Sequence, residues 1–406
     1  MRVAARSWPA LVLVFCSAET FSMAGFALVP SLLPQLSRQW SLSATEGGWL
    51  GGIFFLGYIL AVPVLVSLTD RIDARRIYLA SAALSGLALA GFAGLADSFA
   101  TALGWWWLAG LGLAGTYMPG LKALTDRLPV AAQSRGTAFY TATFGVGAGL
   151  SYLWIGLSQV LLPWRWLFAL AAACAAVSVL LVWHGVSPGT SPTPVKAHRG
   201  HWREVLHDRR TLAFCGAYFG HNWELFGFRA WLVAYLTWTR AMSPDPWTTM
   251  PGLIAALATF LAVPASILGN EGAHRWGRQR WLQGVMPLSC ALALVVGFSG
   301  NLPSHWLIPL ILVYAASMNL DSAALTAGVL TETPPERRGT TLALYSSIGF
   351  AGGFIGPVAF GVALDAWGRS SPSGWTAGFV TLAAGVGVGR WAIGKIERPV
   401  TGKGAS

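Results

Sequence analysis

Charge is scarce in this chain. Only 11% of its 406 residues are Asp, Glu, Lys or Arg, while 54% are hydrophobic. That balance cannot give a soluble domain a hydrated exterior and suits lipid instead. Cysteine is limited to Cys16, Cys174, Cys215 and Cys290. All four lie in apolar stretches, where a small buried hydrophobe is favoured over a disulfide. There is no His-Glu-x-x-His pattern and no Ser/His/Asp group that spacing would join, so no catalytic residue, metal site or cofactor is expected. No Asn-x-Ser/Thr sequon occurs and the loops are short, which fits a bacterial inner membrane.

What the chain has is a repeating supply of apolar stretches, each near the length of about 20 residues that spans a bilayer as helix. They fall near 9–34, 47–68, 77–96, 100–123, 137–159, 164–184, 211–238, 249–269, 281–300, 304–330, 340–364 and 374–394. The expected fold is an all-α polytopic membrane protein of twelve transmembrane helices, with both termini on one side. The first stretch resumes beyond Glu19 as far as Leu33 and reads as a retained span, not a cleaved leader. A net charge of +11 raises the question of nucleic acid. However, 22 of the 27 Lys and Arg residues fall in alternate loops on one side, leaving Arg38, Arg165, Arg229, Arg240 and Arg369. This is the positive-inside pattern of a membrane protein with cytoplasmic termini, and no nucleic-acid partner is expected. Most of the 21 tryptophans read as interfacial anchors, with Trp223 and Trp231 as exceptions beside charge.

An internal repeat is visible. Arg135-Gly136-Thr137 opens the fifth stretch and Arg338-Gly339-Thr340 the eleventh; Glu19-Thr20-Phe21 in the first matches Glu224-Leu225-Phe226 in the seventh. The offsets, 203 and 205, are about half the chain. Two six-helix halves in parallel orientation follow, 1–185 and 211–406, joined by a Pro/Gly/Ser-rich and then basic linker at 186–210. Within the linker, 202–206 has the pattern of a short amphipathic helix at the headgroups.

After the second stretch, Asp70-Arg71-Ile72-Asp73-Ala74-Arg75-Arg76 resembles the signature loop of the major facilitator superfamily, with Val66 in place of its first Gly and Asp73-Ala74 in place of its second. His274-Arg275-Trp276-Gly277-Arg278 keeps its shape in the second half. Together with the duplicated halves, the resemblance covers nearly the whole chain. It implies two pseudo-symmetric six-helix bundles and alternating access. It also implies a latch in which Asp70, with Arg71, Arg75, Arg76, Arg135, Arg275 and Arg338 around it, meets the start of the eleventh span while the site faces outward. Two departures bear on subfamily. The fourth stretch has Trp106 through Gly112 where many relatives place a proton-coupling arginine, and the fifth lacks the Gly-Pro of drug/proton antiporters.

Ionisable groups deep in spans are costly and normally face a cavity or a partner. Here they are Glu19 in the first span; His221, Glu224 and Arg229 in the seventh; Asp321, beside Asn319, in the tenth; and Lys122, beyond Tyr117, in the fourth. In the resembled fold those four helices line the central cavity. Glu19 and Glu224 are expected to face one another across the pseudo-twofold axis, one carrying a proton; the alternative is that each is an anchor, Glu224 pairing with Arg229 or His221. Arg229 either holds an anionic solute bidentately or neutralises Glu224. Lys122 reaches the cavity or snorkels to water.

The expected function is alternating-access secondary transport, by a monomer in the bilayer, of a small polar or ionic solute with an anion and proton coupling among the options. The alternatives are a drug or metabolite efflux pump, a transporter-like receptor or assembly factor, and an intramembrane enzyme.

Overall fold

A computed structural model describes residues 7–189, 202–242, 250–334 and 337–395. Among the described residues there is no strand. The first half comprises α1 (Trp8–Ser22), α2 (Leu28–Gln39), α3 (Ala44–Leu68), α4 (Ala74–Leu95), α5 (Phe99–Thr125), α6 (Val130–Ser158) and α7 (Trp164–Gly185). Then follow α8 (Trp202–His207), α9 (Arg209–Met242), α10 (Pro251–Phe260), α11 (Ala262–Trp276), α12 (Arg278–Phe298), α13 (Ser304–Ser317), α14 (Ser322–Glu332), α15 (Arg338–Trp367) and α16 (Pro372–Gly394). Among the described residues nine segments are long and apolar enough to cross a bilayer, counting α1–α2, α10–α11 and α13–α14 as single bent crossings. The helices α5, α6 and α9, of 27, 29 and 34 residues, also exceed the about 20 residues that hydrocarbon requires. The set is consistent with twelve crossings. Part of the expected linker, 190–201, lies outside the described residues; beyond it α8 forms where an amphipathic helix was expected, with Val205 buried and Trp202 and Leu206 exposed.

The bends were not anticipated. The first crossing breaks through a 3-10 turn at Met23–Gly25, releasing backbone groups that hydrocarbon cannot satisfy. α6 supplies their partners: Ser151 Oγ accepts from the Ala27 N–H at 3.0 Å and donates to the Ala24 carbonyl at 2.7 Å, and Trp154 Nε1 donates to the same carbonyl at 2.9 Å. The tenth crossing breaks between Ser317 and Ser322, where Trp281 Nε1 donates to the Leu320 carbonyl at 3.0 Å.

Helices approach closely where glycine allows it, as expected when packing, not hydrophobic drive, holds helices together in lipid. Within the first half, a Cβ on Gly110 would run into the Phe54 carbonyl. Between the halves, Gly48 and Gly52 of α3 lie against the Pro357 and Phe354 carbonyls of α15, and Gly361 of α15 against the Ala44 carbonyl. Gly156 of α6 faces Gly252 of α10. All of these inter-half approaches fall toward the end remote from the basic loops.

Gly110→Ala should therefore lower the melting temperature in detergent, since overpacking costs about 1–3 kcal/mol. Gly104→Ala, whose added methyl would meet open space, should leave it unchanged or raise it. Equal melting of the two variants would contradict the packing account.

Candidate solute cavity and gates

The deep groups of the second half converge. His221 and Glu224, one turn apart on α9, are both buried, as are Asn319 and Asp321 at the break in the tenth crossing. His221 Nδ1 lies 2.7 Å from Asp321 Oδ1, without hydrogen-bond alignment. Glu224 Oε1 instead accepts from Ser289 of α12 at 2.6 Å. Asn319 donates back to the Ala315 carbonyl at 2.8 Å. The expected pairing of Glu224 with Arg229 or His221 is not made. Five residues on a helix advance the side-chain direction by about 140°, so Arg229 cannot share the face that carries Glu224 to α12.

In the first half, Glu19 is fully buried. Its Oε2 lies 3.2 Å from the Tyr140 hydroxyl, which is also 2.8 Å from the Thr116 carbonyl. One phenolic proton serves only one acceptor at a time, and Glu19 Oε1 has no partner among the described residues. The expectation that Glu19 and Glu224 face each other is corrected: each carboxylate is bonded inside its own half. Tyr117 is half-buried and stacks on Tyr140 at 6.1 Å between centroids. Lys122 does not enter this cluster; it pairs with Asp126 one turn on at 3.0 Å, both part-exposed.

Sequence reasoning missed Tyr140 and its counterpart Tyr345, which stacks on Tyr218 at 4.2 Å beside His221. The signal was present: the two tyrosines stand 205 residues apart, the offset that relates Glu19 to Glu224.

Arg229 points to the boundary between the halves. It lines two small voids, each of a size for water, not solute. Its backbone carbonyl accepts from the Tyr152 hydroxyl of α6 at 2.9 Å, and its guanidinium lies 5.8 Å from the Phe226 ring centroid. Among the described residues no carboxylate pairs with it.

Above Arg229 the halves are tied together. The α3 amino end is capped internally by Ser43 and Glu46, and externally by Asp365 of α15, which accepts from the Ala44 N–H at 3.0 Å and from the Thr45 N–H and hydroxyl at 2.7 and 2.8 Å. A carboxylate at a helix amino end satisfies orphan donors and meets the positive end of the dipole. Arg369, 3.3 Å from Asp365, donates to the Leu42 carbonyl at 2.6 Å.

The family model described as Major Facilitator Superfamily matches residues 15–357. The chain belongs to the Major Facilitator Superfamily. It is similar to the uncharacterized MFS-type transporter YceJ of Bacillus subtilis (strain 168), 26% identical over 342 residues, 81% of this chain and 83% of that protein. Over 183 residues, 41% of this chain and 36% of the other, it is 31% identical to a probable multidrug-efflux transporter, Rv1634, of Mycobacterium tuberculosis (strain ATCC 25618 / H37Rv). Solved structures share the fold: a bacterial homolog to the human lysosomal transporter Spinster, inward-facing and unoccupied (TM-score 0.77, 16% identity, 95% of this chain and 96% of that one), and a D-xylose-proton symporter (TM-score 0.74, 14% identity, 94% and 97%).

The superfamily's signature loop lies at the basic end, remote from Asp365. Asp70, Arg71, Arg76, Arg135, Arg275 and Arg338 are exposed there. Among the described residues Asp70 makes no ion pair. Arg75 is buried, donating to the Trp183 carbonyl at 2.8 Å. The paired carboxylate of the loop is Asp73. It caps α4, accepts from the Arg75 and Gly189 N–H groups at 3.0 and 2.7 Å, and bridges to Arg127 at 2.8 Å. Burial pushes its carboxyl up, but Arg127 and the two backbone donors outweigh that and hold it below the usual range.

A depressed carboxylate contributes stability above its unfolded pKa of about 3.9, lost as pH falls through the lower folded value. Asp73→Asn should accordingly melt below the wild type at pH 7, with the gap closing as pH is lowered past about 4. A pH-independent gap would show that shape, not charge, holds the loop.

Proposed function

We propose that this protein is an alternating-access secondary transporter of a small polar or ionic solute, an anion in preference, with proton coupling. The observation that carries the reading is the asymmetry of its ends: Asp365, Arg369 and the glycine seam close one end, while at the other the signature-loop charges make no ion pair with the opposite half among the described residues. The positive-inside bias supports a cytoplasmic basic end in a bacterial inner membrane, and on that orientation the conformation is the inward-facing member of a pair of states. Halves 1–185 and 211–406 would rock about the buried centre, as a monomer, with 186–210 as the tether.

In the outward-facing state Asp70 takes the amino end of α15, with Arg71, Arg75, Arg76, Arg135, Arg275 and Arg338 setting the surrounding charge. Here Arg337, at that amino end, is held instead by Glu204 of α8 at 2.7 Å. The linker helix thus holds the amino end of α15 while the basic end is open. Glu19 is the first candidate for the coupled proton, because its site accommodates both states: a protonated carboxyl can donate to the Tyr140 oxygen, and a carboxylate can accept from it. His221 and Asp321 form the second candidate site, with Glu224 beside them. Lys122 belongs to the cytoplasmic mouth. The partial match to a multidrug-efflux protein favours export as the second reading, since the same scaffold works in either direction.

Solute uptake by proteoliposomes, screened with and without a pH gradient, tests the transport reading. Glu19→Gln or Glu224→Gln should abolish gradient-driven flux with expression intact; undiminished flux in both would remove these carboxylates from coupling. For the gate, Ala230→Cys in a cysteine-free background should react slowly with an impermeant maleimide added outside. Adding Asp365→Asn should speed that labelling about tenfold, on the basis that the amide keeps one acceptor oxygen and the net loss is about one charge-assisted hydrogen bond, worth about 1.5 kcal/mol. Unchanged labelling would mean that Asp365 does not hold the end shut.

A further inference from the structure

Resting on the transport reading, we infer that the solute is an organic acid with an apolar or aromatic body, its carboxylate held by Arg229. Two observations meet at this residue. The first is an unsatisfied charge: Arg229 is 91% buried, being 9% exposed, and its guanidinium meets neither a carboxylate nor a hydrogen-bond acceptor among the described residues. The face of Phe226 is a weak substitute for oxygen, because guanidinium donors form a planar fork that matches two carboxylate oxygens. A buried cation left in this condition calls for an anion that arrives and leaves.

The second observation is the chemistry on either side. One void beside Arg229 is walled by Phe26, Phe54, Phe55, Trp106 and Phe226, with Phe55 and Phe226 only 4.0 Å apart between centroids. The other void offers Tyr152, Thr259 and Asn319. A sugar or a zwitterion would need polar partners all round, which the first wall lacks. An acid whose body is a ring or short chain fits both walls, with its head on Arg229.

The voids are collapsed in this state, and their walls explain how they open. Phe55, Trp106 and Tyr152 come from the first half, and Phe226 and Arg229 from the second. Separation of the halves at the Asp365 end therefore parts the aromatic wall, and an acid entering from outside reaches Arg229 directly beneath the gate. Binding favours the open or occluded form over the empty one.

Benzoate serves as the probe, with benzamide as its uncharged isostere and acetate as its headgroup alone. The assay is ligand-dependent melting of purified full-length protein in detergent. Benzoate should raise the melting temperature saturably, with benzamide and acetate each at least about tenfold weaker in apparent affinity: benzamide lacks the charge that pairs with Arg229, and acetate lacks the ring whose burial contributes more than the about 1.4 kcal/mol that a tenfold change represents. Arg229→Gln should lose the benzoate shift and Arg229→Lys should retain a weakened one, because a point charge replaces a fork. Benzamide equal to benzoate in the wild type would overturn the inference even if neither variant folds; so would a full benzoate shift in a folded Arg229→Gln. If the gate variant opens and transport is found for other solutes while benzoate fails to bind, this assignment falls and the transport reading stands.

Discussion

Hydrocarbon offers no hydrogen bond, so each charge and each interrupted turn inside the membrane must be met by another part of the chain, by water or by a bound solute. That constraint organises the whole molecule. Where the first crossing breaks at Met23–Gly25, Ser151 and Trp154 reach over from α6. Where the tenth breaks before Ser322, Trp281 covers Leu320. Where α3 begins, its first N–H groups are met by Asp365 from the other half. The last case differs in kind, because in the proposed rocking of the halves the partner belongs to the body that moves away. Once Asp365 withdraws, the α3 amino end lies at an aqueous boundary and water replaces the carboxylate, so the exchange costs little. A cap made of water-replaceable bonds can therefore serve as a gate, whereas the Ser151 contact, deep in the first half, can only be structure.

In the proposed gate, glycine sets how closely the two halves meet. Gly48 and Gly52 let α3 lie on the α15 carbonyls, while Gly361 returns the arrangement from the other side. The contact sets backbone on backbone over several turns, and aromatic side chains extend it, Trp49 meeting Phe354 at 5.2 Å and Tyr58 meeting Phe350 at 4.6 Å between centroids. Such a seam has many small terms and no single large one, which suits an interface that must both hold and release. The larger electrostatic term sits at its rim, in Asp365 and Arg369, where solvent access is greatest.

The sequence made some of this plain and hid the rest for identifiable reasons. Twelve apolar stretches, the repeat offsets and the basic loops were legible because each depends on local composition. The depth of Glu19, Glu224, Arg229 and Asp321 was legible too, since an ionisable residue in an apolar run stands out. Partners were not. Glu224 goes to Ser289, 65 residues away, and His221 to Asp321, 100 positions on; neither spacing carries a periodicity. The breaks in the first and tenth crossings were missed because their freed groups are met by residues from distant helices. In the signature loop, the inserted Asp73 looked like a departure from pattern, yet it is the residue that joins the loop to Arg127 and Gly189, while Asp70 makes no ion pair among the described residues.

Arg229 shows why deep charges in this chain should not be treated as one set. Glu19, Glu224, His221 and Asp321 each have at least one polar neighbour inside their own half, so each is tolerable whether or not a solute is present. Arg229 has an aromatic ring and two voids. Its burial is therefore the least compensated, and it lies where the proposed closure would bring the halves together. Closure without an anion traps a bare guanidinium between aromatic walls, whereas closure with one buries a matched pair. The same residue that would recognise a solute would thus make the closed, loaded state easier to reach than the closed, empty one, which is the bias that an exchanger or a tightly coupled carrier requires.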